Sequence, residues 1–310
     1  MRFDKFFEAP YPLILDGGLS NVLESFGCDL NHRLWTAQLL ANSPETIIEA
    51  HLEYLKAGAQ CIITSSYQAS IPGLMDMGYS RDMAVKLILK SVLLAEAAVD
   101  DVMDSGIVNV KPLIAASIGP YGAYLADGSE YHGNYGVSDK VLRDFHEERI
   151  GILNSSNADI LACETIPSIQ EARILSDILY QVDKPAWVSF SCKDGQHVND
   201  GSKIEDCVSI FRDHPTVFAV GLNCTSPLYI SGLIQRIKAS SGDKRIIVYP
   251  NSGEAYNAES KTWRGLSEPG HFVEMSKEWV KLGADIIGGC CRIGPGHIKS
   301  ISSNFSKGKS

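Results

Sequence analysis

Three cysteines have the residue type and the spacing for metal chemistry. Cys290 and Cys291 are adjacent and follow two glycines, and Cys224 lies in a different part of the chain. Thiolates are soft anionic ligands that suit Zn²⁺, and three of them leave a fourth tetrahedral position open for a substrate. The alternatives are small buried apolar side chains and, for the adjacent pair, a vicinal disulfide. The first alternative is expected for the remaining cysteines: Cys28, Cys61, Cys163, Cys192 and Cys207.

The elements that would position these thiols are visible as a repeated pattern of apolar runs. Each run ends in small or polar residues and is separated from the next by a stretch with helical spacing, as after Ser43-Pro44 and Ser226-Pro227. Runs that are apolar throughout are typical of parallel strands buried on both faces. The runs are Leu13–Leu15, Cys61–Thr64, Leu113–Ser117, Ile160–Cys163, Trp187–Phe190, Val217–Leu222, Ile246–Tyr249 and Asp285–Ile287.

Alternation of eight such strands with helices predicts an α/β fold, a (β/α)8 TIM barrel that forms a single domain over residues 1–310. An open dinucleotide-binding sheet fits less well, because Asp16-Gly17-Gly18 lacks the G-x-G-x-x-G spacing. Residues that follow barrel strands share one face, so Cys224 and the Cys290-Cys291 pair are expected to meet there. The polar tail 302–310 is predicted to be disordered.

Charge and hydropathy exclude several classes of protein. The chain carries 28 Lys and Arg against 37 Asp and Glu, a net charge of -9, and the positive residues form no basic run, which argues against a nucleic-acid partner. No segment has the roughly 18 apolar residues that a membrane span needs, and the N-terminus does not resemble a signal peptide. We therefore expect a cytoplasmic protein without a membrane partner, whose clustered cysteines are thiols.

Several motifs make the sequence resemble the homocysteine S-methyltransferase family over nearly its whole length. The stretches 119–131 and 163–167 resemble in particular the branch that takes its methyl group from S-methylmethionine, and the first of them is not shared with betaine-using relatives. The family-wide motifs are Asp16-Gly17-Gly18, Gly221-Leu222-Asn223-Cys224, Tyr249-Pro250-Asn251-Ser252-Gly253-Glu254 and Gly288-Gly289-Cys290-Cys291-Arg292.

The resemblance implies a zinc-dependent barrel that transfers a methyl group to the sulfur of homocysteine and forms methionine. It implies that Cys224, Cys290 and Cys291 bind the zinc, and that the homocysteine sulfur takes the open position. A free thiol with a pKa of about 8.5 is mostly protonated at neutral pH, whereas a metal-bound thiol is deprotonated. The expected methyl donor is the sulfonium S-methylmethionine, with S-adenosylmethionine as a poorer one. Its leaving group is a neutral thioether, so no general acid is needed.

Homocysteine also carries an ammonium group, for which the family places acidic residues of these motifs. Asp16 and Glu164 are the candidates, because each ends a predicted strand. Asp16 has an alternative as a turn residue before two glycines, whereas Glu164 follows an apolar run and would be costly to bury without a partner. Related enzymes suggest that Asn251 contacts substrate or zinc, and the alternative is an Asx turn.

The donor sulfonium is a soft cation that aromatic faces could hold. Tyr67, Tyr121 and Tyr124 are candidates by position, although an aromatic residue at a strand end more often belongs to the packing. Trp35 and Trp263 are further candidates at the mouth of the barrel. The glycine-rich loop 119–136 is predicted to be a mobile lid.

Three alternatives use the same residues in other ways. The first is a methyltransferase that uses betaine or another donor. The second is a redox sensor in which Cys224 and the Cys290-Cys291 pair switch between thiol and disulfide. The third is a zinc-binding barrel without catalytic activity. The histidines show no H-E-x-x-H spacing, and none is assigned to the metal.

Overall fold

Eight parallel strands form a sheet that closes on itself. The computed structural model describes residues 4–8, 11–30, 38–253, 255–257, 262–264 and 268–306. The sheet order is β1-β10-β7-β6-β5-β4-β3-β2, and a parallel bridge between Leu15 and Cys61 joins the two end strands. The predicted (β/α)8 barrel is confirmed. The strands are β1 (Leu13–Ile14), β2 (Cys61–Ile63), β3 (Leu113–Ile118), β4 (Ile160–Ile166), β5 (Ala186–Phe190), β6 (Val217–Asn223), β7 (Arg245–Tyr249), β8 (Ala255–Asn257), β9 (Thr262–Arg264) and β10 (Ile286–Ile287).

Helices surround the barrel and connect its strands. Among the described residues, no helix combines the length and the apolarity that crossing a membrane requires. Two short 3-10 helices, Asp4–Phe6 and Ser129–Tyr131, lie outside this series. The α-helices are α1 (Leu19–Ser25), α2 (Leu39–Asn42), α3 (Pro44–Lys56), α4 (Ile71–Asp76), α5 (Arg81–Asp104), α6 (Tyr121–Leu125), α7 (Asp139–Asn154), α8 (Ile169–Leu179), α9 (Ile204–Ser209), α10 (Pro227–Ser240), α11 (Pro269–Leu282) and α12 (Pro295–Ser306).

The barrel interior and the layer outside it form separate apolar clusters. Successive residues of a strand point to opposite faces of the sheet, and the smaller cluster takes alternate residues from all the barrel strands. The larger cluster packs the outward-facing residues against the helices. Burial on both faces explains why the runs are apolar throughout. The members of the smaller cluster are Phe6, Leu13, Leu15, Cys61, Leu113, Ala115, Ile160, Ala162, Trp187, Ala219, Ile247, Tyr249 and Ile286.

The chain differs from the predicted elements at its C-terminal end and in a hairpin. Helix α12 continues to Ser306, so the predicted disorder is wrong for residues 302–306. Ile298 and Ile301 are buried and Phe305 packs against the core, which gives this helix an apolar face. Residues 307–310 lie outside the described part of the chain. Strands β8 and β9 pair antiparallel in a hairpin that has no counterpart among the predicted strands.

The start of α8 shows how a local motif is redirected by tertiary contacts. Ser168 caps the helix, because its Oγ accepts a hydrogen bond from the backbone N–H of Glu171 at 3.2 Å. The Glu171 carboxylate does not complete a capping box, since its Oε1 lies 2.7 Å from Nε2 of His146, and both side chains are fully buried. This carboxylate instead becomes an anchor for the loop that follows β3.

Candidate active site

A cavity of about 500 Å³ opens among the residues that follow the barrel strands. In a (β/α)8 barrel this carboxyl-terminal face carries the chemistry, because loops after the strands converge there. Part of the wall comes from the loop after β3, through Ala126, Gly128, Glu130 and Tyr131. The lining residues at or just beyond strand ends include Asp16, Thr64, Ser117, Glu164, Asn223, Cys224, Tyr249, Gly289, Cys290 and Cys291.

The sulfurs of Cys224, Cys290 and Cys291 lie together at the edge of this cavity, all within 4.8 Å of one another. The Sγ atoms of Cys224 and Cys291 are 3.8 Å apart, and those of Cys290 and Cys291 are 3.9 Å apart. Tetrahedral zinc with bonds of about 2.3 Å separates its sulfur ligands by about 3.8 Å. The three half-buried side chains therefore suit a metal ion in donor type, and two of their three sulfur–sulfur separations match a metal site.

Two of the same sulfurs are joined by a disulfide, between Cys224 and Cys290, whose Cα atoms are 5.6 Å apart. The vicinal disulfide considered for Cys290 and Cys291 is therefore wrong, because the partner of Cys290 comes from another strand. A metal and this disulfide would compete for the same sulfurs. The remaining cysteines were all expected to be buried, and Cys61, Cys163, Cys192 and Cys207 are, whereas Cys28 is half-buried.

The glycines of the two cysteine motifs are required by space. A Cβ on Gly221 would collide with the carbonyl oxygen of Ile247, and one on Gly289 would collide with the side chain of Ile293. Neither Gly288 nor Gly289 has a positive φ. The left-handed residues of these motifs are Cys224, with φ 45°, and Arg292, with φ 66°, a conformation that costs a non-glycine residue about 1 kcal/mol or more.

Asn223 holds the ends of β4 and β6 together beside the cysteine cluster. Its Oδ1 accepts hydrogen bonds from the backbone N–H of Thr165 at 2.6 Å and from Ser189 Oγ at 3.0 Å. Its Nδ2 donates to Thr165 Oγ1 at 2.7 Å. Thr165 is itself left-handed, with φ 60°. Asn223 is the residue before Cys224, and it thus fixes Thr165, the residue after Glu164. Sequence patterns identified Asn223 only as a motif position.

Replacing Asn223 by alanine is expected to lower the free energy of unfolding by about 1–3 kcal/mol, because the buried Thr165 N–H would lose its acceptor. Methyl transfer to homocysteine, the activity that the sequence resemblance implies, should fall as well, since Asn223 supports the segments that carry Glu164 and Cys224. Chemical denaturation of the metal-free protein and a steady-state assay measure the two effects. Asn304→Ala, which removes an exposed bond to Ser300, is the control. Equal stability of both variants would contradict this role.

The two predicted acidic residues both enter the cavity. Asp16 is 1% exposed, and its Oδ2 accepts from the backbone N–H of Ile63 at 2.8 Å. Its Oδ1 has no hydrogen-bond partner among the described residues, and burial raises its pKa well above the usual value. Glu164 accepts hydrogen bonds from Ser117 and Tyr249, yet burial raises its pKa to about 7. A cationic partner would therefore stabilise the ionised form of both carboxyl groups.

The structure places Asn251 in a turn. Its Oδ1 accepts a hydrogen bond from the backbone N–H of Gly253 at 3.0 Å, which is the Asx-turn alternative. The described lining of the cavity does not include Asn251. The turn still matters for the site, because the next residue, Ser252, donates its backbone N–H to the carbonyl of Cys291 at 3.1 Å.

The tyrosine candidates divide into one lining residue and two packing residues. Tyr67 lines the cavity. The ring of Tyr121 packs edge-on against Phe145 at 5.1 Å, and Tyr124 donates its hydroxyl to Asp76 at 3.3 Å on the surface. Helix α6 directs both side chains away from the described lining. Trp35 lies outside the described residues, and the side chain of Trp263 is not described.

Tyr131 and Glu130 line the cavity without having been singled out. Both lie in the tyrosine-rich stretch that supported the family resemblance, and a search of that stretch for cavity residues could have found them. The charge of Cys291 contributes to a raised pKa of Tyr131, after the larger effect of burial, which places this phenol near the sulfur cluster.

The loop 119–136 is held at both ends by Glu171. Glu171 Oε1 accepts from the backbone N–H of Tyr121 at 2.6 Å, and its Oε2 accepts from the hydroxyl of Tyr135 at 2.9 Å. The segment between these anchors supplies the cavity wall. Movement of this segment as a lid stays a prediction.

Comparisons with known proteins agree with this architecture. The family model for homocysteine S-methyltransferase matches residues 13–305. Homocysteine S-methyltransferase YbgG of Bacillus subtilis is 45% identical over 298 residues, which is 94% of this chain and 94% of the relative. Selenocysteine methyltransferase of Astragalus bisulcatus is 41% identical, over 99% of this chain and 96% of the relative.

Solved structures of the homocysteine methyltransferase MmuM from Escherichia coli have a closely similar fold. The metallated form has a TM-score of 0.88 and 36% sequence identity, and covers 98% of this chain and 100% of its own. The oxidized form has a TM-score of 0.89 at the same identity, and covers 98% of this chain and 99% of its own.

Proposed function

The chain belongs to the homocysteine S-methyltransferase family, and we propose that it transfers a methyl group from S-methylmethionine to homocysteine with zinc held by Cys224, Cys290 and Cys291. The observation that carries the proposal is the meeting of these three sulfurs with Asp16 and Glu164 in one cavity. Bound zinc would supply the chemistry of a homocysteine sulfur that stays deprotonated at neutral pH.

Asp16 and Glu164 hold the ammonium group of homocysteine. The free Oδ1 of Asp16 is directed into a buried environment, where an opposite charge is strongly attracted. Glu164 receives its hydrogen bonds from uncharged hydroxyl groups, so its buried charge is uncompensated until an ammonium binds. Fixing the amino end of homocysteine at this point orients its sulfur toward the cysteine cluster.

The methyl transfer itself needs positioning and no acid. A carbon–sulfur bond forms between the homocysteine sulfur and the donor methyl group, while the donor carbon–sulfur bond breaks and leaves its electron pair on the donor sulfur. Both products are methionine, and one proton is released from the homocysteine thiol. Tyr67 and Tyr131 line the cavity, and their rings can hold a sulfonium by cation–π attraction.

The disulfide between Cys224 and Cys290 supports a second candidate function, a thiol switch. Oxidation removes two of the three thiolates, so the oxidised protein should not hold the metal. Assays of the proposed reaction therefore need a reductant, and added oxidant should stop the reaction reversibly.

A donor comparison tests the proposal. Reduced, zinc-loaded protein is incubated with carbon-labelled homocysteine and, in parallel, with S-methylmethionine, S-adenosylmethionine or betaine, and labelled methionine is measured by mass spectrometry. We expect kcat/KM for S-methylmethionine to exceed that for the other donors by roughly tenfold or more, a difference of about 1.4 kcal/mol. Faster reaction with betaine would overturn the proposed donor. Selenocysteine is a useful second acceptor, because proteins named for its methylation are among the relatives.

A further inference from the structure

The cavity wall contains a carboxyl group that the proposed mechanism does not use. Glu130 lies in the 3-10 helix Ser129–Tyr131, within the loop between β3 and α7. It lines the cavity, and its Oε2 is buried without a hydrogen-bond partner in the described part of the chain. A carboxylate oxygen in such a position costs free energy unless a ligand supplies a donor.

The backbone around Glu130 is held in place. The side-chain Nδ2 of Asn199 donates to the carbonyl of Glu130 at 3.3 Å and to Ser191 Oγ at 2.8 Å. A Cβ on Gly122 would collide with the backbone nitrogen of Glu130, so this loop segment packs closely on the start of α6. The carboxyl group is therefore carried by a fixed support, as a binding group requires.

Glu130 reaches the cavity from a different element than the acidic pair at the strand ends. The charge of Glu164 contributes to the raised pKa of Asp16. The pKa of Glu130 is also raised, chiefly by burial, and the charges that affect it belong to Asp127 and His132. The cavity therefore offers two anionic positions, one at the strand ends and one on the loop.

The proposed reaction needs two sites of this kind, because two ammonium groups have to be bound. Homocysteine and S-methylmethionine are both α-amino acids, and each carries one ammonium group. Tyr131, next to Glu130, lines the same cavity as Cys291 and the other two cysteines of the cluster. A molecule bound against this wall thus lies between the loop carboxylate and the sulfur cluster, where the methyl group has to be delivered.

We propose that Glu130 binds the ammonium group of the methyl donor and selects donors that are α-amino acids. The inference rests on the proposed function for the presence of a sulfonium donor, and adds the residue that recognises its amino end. Asp16 and Glu164 then bind the acceptor, and Glu130 binds the donor.

Glu130→Gln tests this assignment, because it keeps the shape of the side chain and removes its charge. Two donors are compared on reduced, zinc-loaded protein: S-methylmethionine and 3-dimethylsulfoniopropionate, a dimethylsulfonium carboxylate without an amino group. A charged hydrogen bond contributes enough that its loss should raise KM and the calorimetric Kd for S-methylmethionine roughly tenfold or more. KM for homocysteine, and Kd for the amino-free sulfonium, should change by less than about twofold, since neither uses this charge.

Glu147→Gln is the matched control. Glu147 lies at an exposed position on α7 and is not part of the described cavity lining. This variant removes an equal charge and should bind S-methylmethionine as the wild type does. The assignment would be overturned if Glu130→Gln weakened the binding of both sulfonium compounds, or of homocysteine only. Unchanged binding of S-methylmethionine by Glu130→Gln would overturn it as well.

The outcome also separates this inference from the proposed function. If the wild type uses S-methylmethionine and the Glu130→Gln variant binds it equally well, only the role of Glu130 is contradicted. Wild-type protein that binds neither S-methylmethionine nor S-adenosylmethionine, the two amino-acid sulfonium donors, overturns both together. Calorimetry without homocysteine reports donor binding apart from turnover.

Discussion

Replacing Cys224, Cys290 or Cys291 with serine is expected to lower zinc affinity and methionine formation together, each by roughly a hundredfold or more. Loss of a group that only supports a ligand already costs about 10–100-fold, and a serine hydroxyl is a much poorer zinc ligand than a thiolate. Metal content after dialysis and steady-state rates, both on reduced protein, measure the effect. Cys28→Ser is the matched control, because Cys28 is a free, half-buried cysteine outside the cluster.

The variant at Cys291 separates metal binding from thiol switching. The disulfide joins Cys224 and Cys290 and leaves Cys291 free. Metal binding by all three sulfurs predicts that Cys291→Ser is as damaging as Cys224→Ser. A switch without metal predicts instead that Cys291→Ser keeps both activity and its response to oxidant. Normal turnover by a metal-free triple variant would refute the zinc mechanism.

Glu164→Gln is expected to weaken catalysis and stabilise the metal-free fold at the same time. Loss of a charged hydrogen bond to the homocysteine ammonium should raise KM for homocysteine by roughly 10–100-fold. The pKa of Glu164 rises from its ordinary value of 4.5 to about 7 on burial. Ionising this carboxyl therefore destabilises the folded state at pH 8 by about 3 kcal/mol, and glutamine avoids that cost.

The direction in which stability changes with pH follows from the raised pKa of Glu164. The contribution of Glu164 to stability is fully present below pH 4.5 and is lost as pH rises through about 7. The stability advantage of Glu164→Gln over wild type should therefore grow between pH 4.5 and pH 8. Urea denaturation across this range measures it, and Glu147→Gln, at an exposed position on α7, is the control. A difference that does not vary with pH would contradict the buried charge.

The residues that were predicted well are those for which a local pattern is sufficient. Apolar runs and helix starts identified the barrel strands, because burial on both faces leaves a continuous signature in each segment. Strand-end position, together with the family resemblance, indicated Asp16 and Glu164, since a closed barrel directs its strand ends to one opening.

Whether a predicted site residue lines the cavity depends on contacts between distant segments. Tyr121 and Tyr124 were expected to hold the donor, yet packing of α6 on α7 directs them elsewhere. Asn251 is engaged by the Gly253 N–H in its own turn. The hydrogen bonds between Asn223 and Thr165 join residues far apart in the chain, and no local sequence pattern predicts them.

The sequence by itself determined the barrel, the family and the cysteines that could meet at one rim, because periodicity and motif spacing are properties of single segments. Only the tertiary structure decided which side chains enter the cavity and which carboxylates lack partners there. Glu130 faces the substrate space because Asn199 and Gly122 hold its backbone from elsewhere in the fold. Side-chain direction and burial depend on what the rest of the chain packs against each residue, and that information is absent from any one stretch of sequence.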